Sequence, residues 1–84
     1  MIRWKKSFKK DYKKLTQRQR EAWLEAITLF EASPYHASLR RHKLSGRYQE
    51  LESIDILPDL RAVFSEDSDS IVFYYIRNHN QLYH

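Results

Sequence analysis

The sequence predicts an α+β domain with the element order β-α-α-β-β-β, in which an N-terminal helical hairpin packs on one face of an antiparallel sheet. Apolar residues recur at helical spacing before Pro34, and three strand-like runs follow Gly46, the only glycine. The 84 residues are too few for two independent cores, so we expect a single domain over residues 1–84.

The N-terminal segment contains the signals of a short strand followed by a helix. Ile2 and Trp4 alternate with charged residues, which is typical of a strand. Phe8, Tyr12 and Leu15 follow at positions i, i+4 and i+7, so they lie on one side of a helix. The first helix should therefore bury this apolar stripe and expose the lysines between its members.

A second helix should begin after Thr16 and end before Pro34. Thr16 and Gln19 have the spacing of a capping box, in which each side chain hydrogen-bonds to the backbone of the other residue. Proline cannot continue the helical hydrogen-bond pattern, so Pro34 marks the end. The apolar stripe of this helix consists of Trp23, Ala26, Ile27 and Phe30.

Strand signals occupy the second half of the chain. A polar connection over residues 35–47 includes Gly46, where a turn with positive φ is expected. The strand-like runs cover residues 48–56, 60–64 and 71–76. The last run is almost wholly apolar, which predicts the central strand, and residues 82–83 should add a final short pairing. The large side chains expected in the core are Trp4, Trp23, Phe30, Phe73 and either Tyr74 or Tyr75.

Positive charge is concentrated in two segments of the chain. The net charge is +4, but residues 1–20 contain nine Lys or Arg and one acid, and residues 35–48 contain four and none. A domain that keeps its cations together attracts polyanions, although a lysine-rich helix can also be only a solvated surface. The candidate RNA- or ribosome-binding residues are Lys9, Lys10, Lys13, Lys14, Arg40, Arg41 and Lys43.

The composition disfavours several functional classes. No cysteine is present, so disulfides and thiolate metal sites are excluded, and the four histidines lack the spacing of metal ligands. The apolar runs are too short for a signal peptide or a membrane span. We expect a cytoplasmic protein without a metal, a cofactor or membrane contact.

Three segments form an ordered set of short motifs. They are HKLSG at 42–46, ILPDLRAVF at 56–64 and IRNHNQLY at 76–83. Their order and spacing resemble the RelE/ParE toxin superfamily, most closely its YafQ-like branch. That family has an H-x-L-x-G turn, a P-D or D-Y-R strand start and a closing H-x-x-L followed by Tyr or Phe. The N-terminal strand and first helix also fit, so the resemblance covers essentially the whole chain.

The resemblance implies the toxin of a type II toxin–antitoxin system, acting as a metal-independent, ribosome-dependent endoribonuclease that cleaves messenger RNA. Its partners would be the ribosome, the mRNA and a cognate antitoxin protein that silences it. By their positions in the family motifs, the implied catalytic residues are His42, Asp59, Arg61, Arg77, His79 and Tyr83.

The implied residue types suit the steps of metal-free RNA cleavage. His79 would protonate the 5′-oxygen, and either His42 or Asp59 would take the proton of the 2′-hydroxyl. Arg61 and Arg77 would hold the phosphate, and the terminal tyrosine would stack on or orient a base.

Ordinary structural roles remain open for the same residues. His42 could be a capping or surface histidine, and Asp59 could close an Asx-turn. His79 could have a purely structural role near the C-terminus. The two arginines could pair with acids of a neighbouring strand, and Tyr83 could complete the core.

Two residues depart from the YafQ-like pattern. Asp55 replaces a histidine, and Leu60 replaces an aromatic residue. A carboxylate close to the scissile phosphate repels it, so one alternative is a degenerate member that binds RNA or antitoxin without cleavage. The other alternative is a ParE-like gyrase inhibitor, although such members generally lack the closing histidine together with the turn histidine.

Overall fold

The structure, a computed structural model, describes residues 1–83, so His84, the last residue of the expected domain, lies outside the described part. The strands are β1 (Ile2–Trp4), β2 (His42–Lys43), β3 (Glu52–Leu57), β4 (Leu60–Glu66) and β5 (Ile71–Arg77). The helices are α1 (Lys6–Lys13), α2 (Gln17–Ala32) and α3 (His79–Tyr83), with 3₁₀ turns at Ala37–Leu39 and Gly46–Tyr48. The predicted α+β class is confirmed. No helix within residues 1–83 is both long and apolar enough to cross a membrane.

The strands of residues 1–83 form one mixed sheet in the order β1-β5-β4-β3-β2. Neighbours from β2 to β5 are antiparallel, whereas β1 pairs in parallel with β5, from Ile2 opposite Ile71 to Trp4 opposite Phe73. The expectation of a wholly antiparallel sheet was therefore wrong. The expectation that the 71–76 strand is central was also wrong, because β4 holds that position. Alternation of apolar residues determines which side chains are buried, but it does not determine which strands are neighbours.

Helix α2 forms as its local sequence signals predict. Thr16 Oγ1 accepts a hydrogen bond from the Gln19 N–H at 3.1 Å, and Gln19 Oε1 accepts one from the Thr16 N–H at 2.9 Å. The helix ends at Ala32, before Pro34, and its predicted apolar stripe is buried. The capping box and the proline therefore define the two ends of α2.

Helix α1 takes the place of a strand neighbour along the second half of β5. Because β1 pairs only with residues 71–73, the later backbone groups on that edge of β5 need other partners. Ser7 Oγ donates to the Tyr74 carbonyl oxygen, and the Asp11 carboxylate accepts from the Ile76 N–H at 3.2 Å. Ser7 and Asp11 are four residues apart on one side of α1, so both bonds hold the helix against β5.

The main core lies between α1, α2 and one face of the sheet. Phe30 lies edge-on to Phe64 with 5.2 Å between ring centroids, and Trp23 lies edge-on to Phe73 at 5.1 Å. A smaller cluster lies on the opposite face, where α3 and the turn before β3 pack. It consists of Leu44, Tyr48, Val63 and Leu82. The central strand β4 contributes to both clusters because its side chains alternate between the faces.

Trp4 and the C-terminal residues depart from the expected arrangement. Trp4 is 40% exposed rather than buried, because β1 is an edge strand with no further strand of residues 1–83 on its outer side. Residues 82–83 end α3 instead of forming a strand, and Leu82 is buried there. Gly46 has a φ of 67°, so the expected turn with positive φ is confirmed.

Removing the capping hydroxyl of α2 should weaken the domain. We expect Thr16→Ala to lower the free energy of unfolding by about 1 kcal/mol, because a backbone N–H loses its acceptor. Chemical denaturation followed by circular dichroism measures the change. Thr28→Ala is the matched control, since Thr28 is exposed within α2 and its hydroxyl bonds to the Leu24 carbonyl oxygen. This control should change stability by less than about 0.5 kcal/mol, and equal losses in both variants would contradict the capping role.

Candidate functional site

Charged residues form a row on the sheet face that α1 and α2 leave open. Ala62 and Ile76 belong to the core beneath the helices, and side chains alternate along a strand, so the residues beside them point to the other face. There Asp55 lies directly opposite Arg61 on the neighbouring strand, and Arg61 lies directly opposite Arg77 on the next strand. Three charged side chains therefore lie side by side across β3, β4 and β5.

Asp55 lies between two guanidinium groups. Its Oδ1 is 3.5 Å from Arg61 Nε, and its Oδ2 is 3.5 Å from Arg40 Nε. Both separations exceed those of short hydrogen bonds, so the carboxylate is shared loosely between the two cations. The Arg40 side chain is 77% exposed, and a cavity of about 440 Å³ adjoins the three groups. One negative charge thus faces two positive charges at an accessible site.

Arg77 is held from the helical side of the domain. Its Nε donates to Asp11 Oδ2 at 2.8 Å, and the same oxygen accepts the Ile76 N–H. The guanidinium carbon also lies 4.2 Å from the centroid of the Tyr75 ring. The sequence analysis missed Asp11 as the partner of Arg77. The available signal was that Asp11 is the one acid among the cations of residues 1–20 and lies on the buried side of α1.

His42 lies on β2, at the other edge of the open face. It is paired with Ser53 of β3, whose Oγ is 3.4 Å from His42 Nε2. His42 Nδ1 is 2.8 Å from the Arg40 carbonyl oxygen. A carbonyl oxygen can only accept, so we assign the hydrogen to Nδ1, which leaves the lone pair of the neutral ring on Nε2. The backbone therefore favours the tautomer in which Nε2 can take up a proton.

His79 and Tyr83 lie on α3, four residues apart on one side of the helix. Their ring centroids are 4.7 Å apart, and the Tyr83 ring lies edge-on to Tyr48 at 6.1 Å. Asp59, in the turn between β3 and β4, accepts a hydrogen bond from the His79 N–H at 3.3 Å. The burial of Leu82 holds α3 against the open face. The structure thus brings Asp59, His79 and Tyr83 together at one end of that face.

Apart from the arginines, the predicted catalytic residues fall into two groups separated by three of the four strand spacings of the sheet. β2, which carries His42, and β5, which precedes His79, are three strand spacings apart, or about 14 Å. Arg61 lies between them on β4, whereas Arg77 is the last residue of β5 and precedes His79 by two residues. Within residues 1–83, no three or more His, Asp or Glu side chains are arranged to hold a metal ion. The open face therefore has two arginines and two histidines.

The lysines of α1 are exposed on two flanks of the helix. Lys9 and Lys13 share one flank, and Lys10 and Lys14 share the other, because residues four apart lie on the same side. Lys14 borders a cleft of about 490 Å³ that also contains Asp59. These charges are accessible to phosphate groups.

Arg41 is the exception among the predicted RNA-binding residues, because its side chain is only 4% exposed. It forms ion pairs with Glu52 and Glu66. Hydrogen bonding to Glu52 raises the pKa of Arg41, and the same bonds lower the pKa of Glu52. The predicted RNA contact of Arg41 is therefore corrected to a structural role, which fastens the start of β2 to β3 and β4. Arg40 and Lys43, which lie nearby in the sequence, are exposed.

Comparison with known proteins agrees with the family resemblance of the sequence motifs. A family described as "Bacterial toxin of type II toxin-antitoxin system, YafQ" matches residues 1–84. The crystal structure of YafQ from E. coli strain BL21(DE3) is 18% identical, with a TM-score of 0.86 over 100% of this chain and 98% of that chain. The E. coli DinJ–YafQ toxin–antitoxin complex is 19% identical, with a TM-score of 0.84 and coverage of 100% and 97%. The RelB–RelE antitoxin–toxin complex from Methanococcus jannaschii is 21% identical, with a TM-score of 0.76 and coverage of 96% and 94%.

The two kinds of match carry different information. At these identities the solved structures show a shared fold, whereas the family match spans the whole sequence. No curated protein sequence matches the chain. The resemblance to the RelE/ParE superfamily and its YafQ-like branch is confirmed.

Acid should destabilise the domain partly through Glu52. Arg41 lowers the pKa of Glu52 in the folded state, so the pair stabilises the fold above the ordinary carboxyl pKa, and this contribution is lost as the pH falls through the folded-state pKa. We expect Glu52→Gln to lower stability at neutral pH and to flatten its pH dependence between about pH 5 and pH 3. Urea unfolding over this range measures the effect. Glu50→Gln, at an exposed position, should behave like the parent, and an unchanged acid sensitivity in Glu52→Gln would contradict the assignment.

Proposed function

Because this chain belongs to the YafQ family of bacterial toxins of type II toxin–antitoxin systems, we propose that it cleaves messenger RNA on the ribosome as a metal-independent endoribonuclease. The supporting observation is the open face of the sheet, which carries His42 on β2, Arg61 on β4 and Arg77 on β5, with His79 following β5 on α3. Two proton-transfer groups and two phosphate-binding groups on one face suit this chemistry. The protein would act in the cytoplasm and would be silenced by a cognate antitoxin.

His42 is the better candidate for the general base. The Arg40 carbonyl oxygen binds Nδ1–H, so Nε2 can take the proton of the 2′-hydroxyl. Asp59 is less suited, because it lies beside the proposed general acid His79, whose N–H it accepts, rather than on the opposite side of the phosphate. The deprotonated 2′-oxygen would attack the adjacent phosphorus, and the bond from phosphorus to the 5′-oxygen would break. The products would be a 2′,3′-cyclic phosphate and a free 5′-hydroxyl.

Arg61 and Arg77 would stabilise the negative charge that accumulates on the phosphorane. A guanidinium can bind two phosphate oxygens at once, which an ammonium group cannot do in the same geometry. Asp11 binds the Nε of Arg77, so the terminal amino groups would contact the phosphate. Asp11 would therefore orient this arginine while remaining outside the reaction.

His79 would serve as the general acid that protonates the departing 5′-oxygen. Asp59 holds the backbone at the start of α3, and the Tyr83 ring contacts the imidazole, so both neighbours limit its motion. Tyr83 would in addition stack on a base next to the cleaved bond. Lys10, Lys14, Arg40 and Lys43 would supply charge for ribosomal or messenger RNA.

One observation favours a second candidate function, which is binding of RNA or antitoxin without cleavage. Asp55 occupies the position of a family histidine and lies between Arg40 and Arg61, where a phosphate would otherwise bind. Its charge weakens phosphate binding by direct repulsion and by competition for the guanidinium groups. This chain would then keep the fold and the partner but not the reaction.

Loss of His79 should abolish most of the activity. We expect His79→Ala to lower the rate of cleavage by about 10²–10⁴-fold, because general acid catalysis is lost. Induced expression followed by primer-extension mapping of cellular mRNA measures the cuts and their reading frame. In-frame cuts support cleavage on the ribosome.

The control for this experiment is another exposed histidine. His36 accepts a hydrogen bond from the Ser38 N–H at the 3₁₀ turn and lies outside the site, so His36→Ala should cut like the parent. Full activity in His79→Ala at equal expression would contradict the assignment of His79 as the general acid. Intact mRNA with the unaltered chain would support the second candidate.

Neutralising Asp55 should strengthen RNA binding. We expect Asp55→Asn to lower the Kd for a single-stranded RNA by about fivefold at low salt, since a carboxylate no longer competes for Arg40 and Arg61. Fluorescence anisotropy with a 2′-O-methyl RNA, which cannot be cleaved by this chemistry, measures binding alone. Asp69→Asn, in the exposed β4–β5 turn, is the matched change in charge and should have little effect. Weaker binding by Asp55→Asn would indicate that Asp55 positions the arginines instead.

A further inference from the structure

Helix α1 borders an apolar groove that the proposed chemistry does not use. This aromatic groove has a volume of about 410 Å³ and is lined by Trp4, Phe8, Lys9, Tyr12, Lys13 and Trp23. Trp4 stacks on Phe73 with 5.6 Å between ring centroids, yet 40% of its surface is exposed. A cluster of rings that is open on one side is typical of a protein-binding surface.

The groove combines an aromatic floor with a positively charged rim. Lys9 and Lys13 are exposed and lie one helical turn apart along its border. No Asp or Glu is among the residues that line it. An occupant must therefore bring both apolar side chains and negative charge.

We propose that the aromatic groove binds an acidic segment of the antitoxin, which packs large apolar side chains on the exposed surface of Trp4 and Tyr12 and places its carboxylates against Lys9 and Lys13. The inference rests on the proposed function only in requiring a partner protein, and it does not depend on nuclease activity. Burial of the apolar side chains supplies most of the affinity, and the lysines fix the orientation and speed association.

The geometry of the rings favours side chains over nucleobases. Trp23 is inclined to Trp4 by 73° and to Phe8 by 53°. Trp4 already stacks one face on Phe73, so the rings do not present a row of exposed parallel faces for successive bases. Phe8 and Trp23 are also almost fully buried, so they do not offer the exposed ring faces that single-stranded RNA requires.

A second copy of this chain is a poor occupant. Its exposed acidic turn at residues 66–69 has the sequence Glu-Asp-Ser-Asp, which contains no apolar side chain to fill the groove. Two grooves placed face to face would bring four lysines together, and like charges repel. The groove therefore fits a different chain that carries the opposite charge.

The other lysines of α1 border a different surface. Lys14 lines the cleft of about 490 Å³ together with Arg18 and Asn78, and Asp59 of the candidate site lies in the same cleft. The lysines of α1 therefore border two different surfaces. Lys9 and Lys13 border the aromatic groove, and Lys14 borders the cleft beside the candidate RNA site. This division supplies a matched pair of variants on one helix.

The test compares charge reversal on the two flanks of α1. Lys9→Glu with Lys13→Glu, and Lys10→Glu with Lys14→Glu, change the net charge equally. The probe is the protein encoded beside the gene of this chain, titrated into the full-length chain while tryptophan fluorescence is recorded. Trp4 and Trp23 are the only tryptophans and both line the groove, so their emission reports its occupation. A parallel titration of Trp4→Phe identifies the part of the signal that comes from Trp4.

We expect the emission to shift to shorter wavelength as the probe protein excludes water from Trp4. Reversal of Lys9 and Lys13 should raise the Kd by about tenfold or more, and reversal of Lys10 and Lys14 should raise it by less than about threefold. Circular dichroism must show the same helix content in both variants.

Several results would overturn the inference. Equal weakening by the two double variants would mean that only net charge matters, and binding without a change in tryptophan emission would place the partner elsewhere. The same shift caused by a uridine oligonucleotide would make the groove an RNA platform. A shift that follows the concentration of this chain alone would make it a dimer interface. If the two proteins do not bind at all, both this inference and the antitoxin partner of the proposed function are wrong. If they bind but mRNA stays intact, only the proposed nuclease activity is wrong.

Discussion

The carboxylate of Asp11 joins the helical half of the domain to the open face of the sheet. It accepts one hydrogen bond from the backbone of β5 and another from Arg77, while its own helix packs on the core. This arrangement fixes the rotation of α1, because the buried side that carries Asp11 must face β5. The exposed lysines are consequently divided between two flanks, one beside Trp4 and one beside the cleft that contains Asp59. A single buried acid thus organises both proposed binding surfaces.

Ion pairing decides which positive charges can meet an RNA chain. Arg41 is enclosed by two glutamates and holds strands together, so it is not accessible to phosphate. Arg61 and Arg77 each face one carboxylate but stay about a third exposed, at 31% and 29%, so their guanidinium groups remain within reach of a ligand. Exposed lysines supply affinity that depends on salt, and partly exposed, oriented arginines supply the geometry of a reaction site.

The two faces of the sheet serve different purposes because the central strand alternates between them. On one face, Phe64 packs with the aromatic rings under the helices. On the other face, the apolar cover is limited to the small cluster around Val63, so Arg61 remains accessible. The large core supplies most of the stability of this small domain, and it leaves the other face available for charged groups.

The sequence by itself determined the helical hairpin, the two strands at 60–66 and 71–77 and the family motifs, because each depends on residues that are close in the chain, whereas it missed β2 and began β3 four residues too early. Thr16 and Gln19 define the start of α2 from three positions apart. Only the tertiary structure decided the parallel pairing of β1 and the ion-pair partners of the arginines. Arg41 finds its partners 11 and 25 residues away, and Arg77 finds its partner 66 residues away. Such pairs depend on strand order and on burial, neither of which a local pattern of charges and apolar residues encodes.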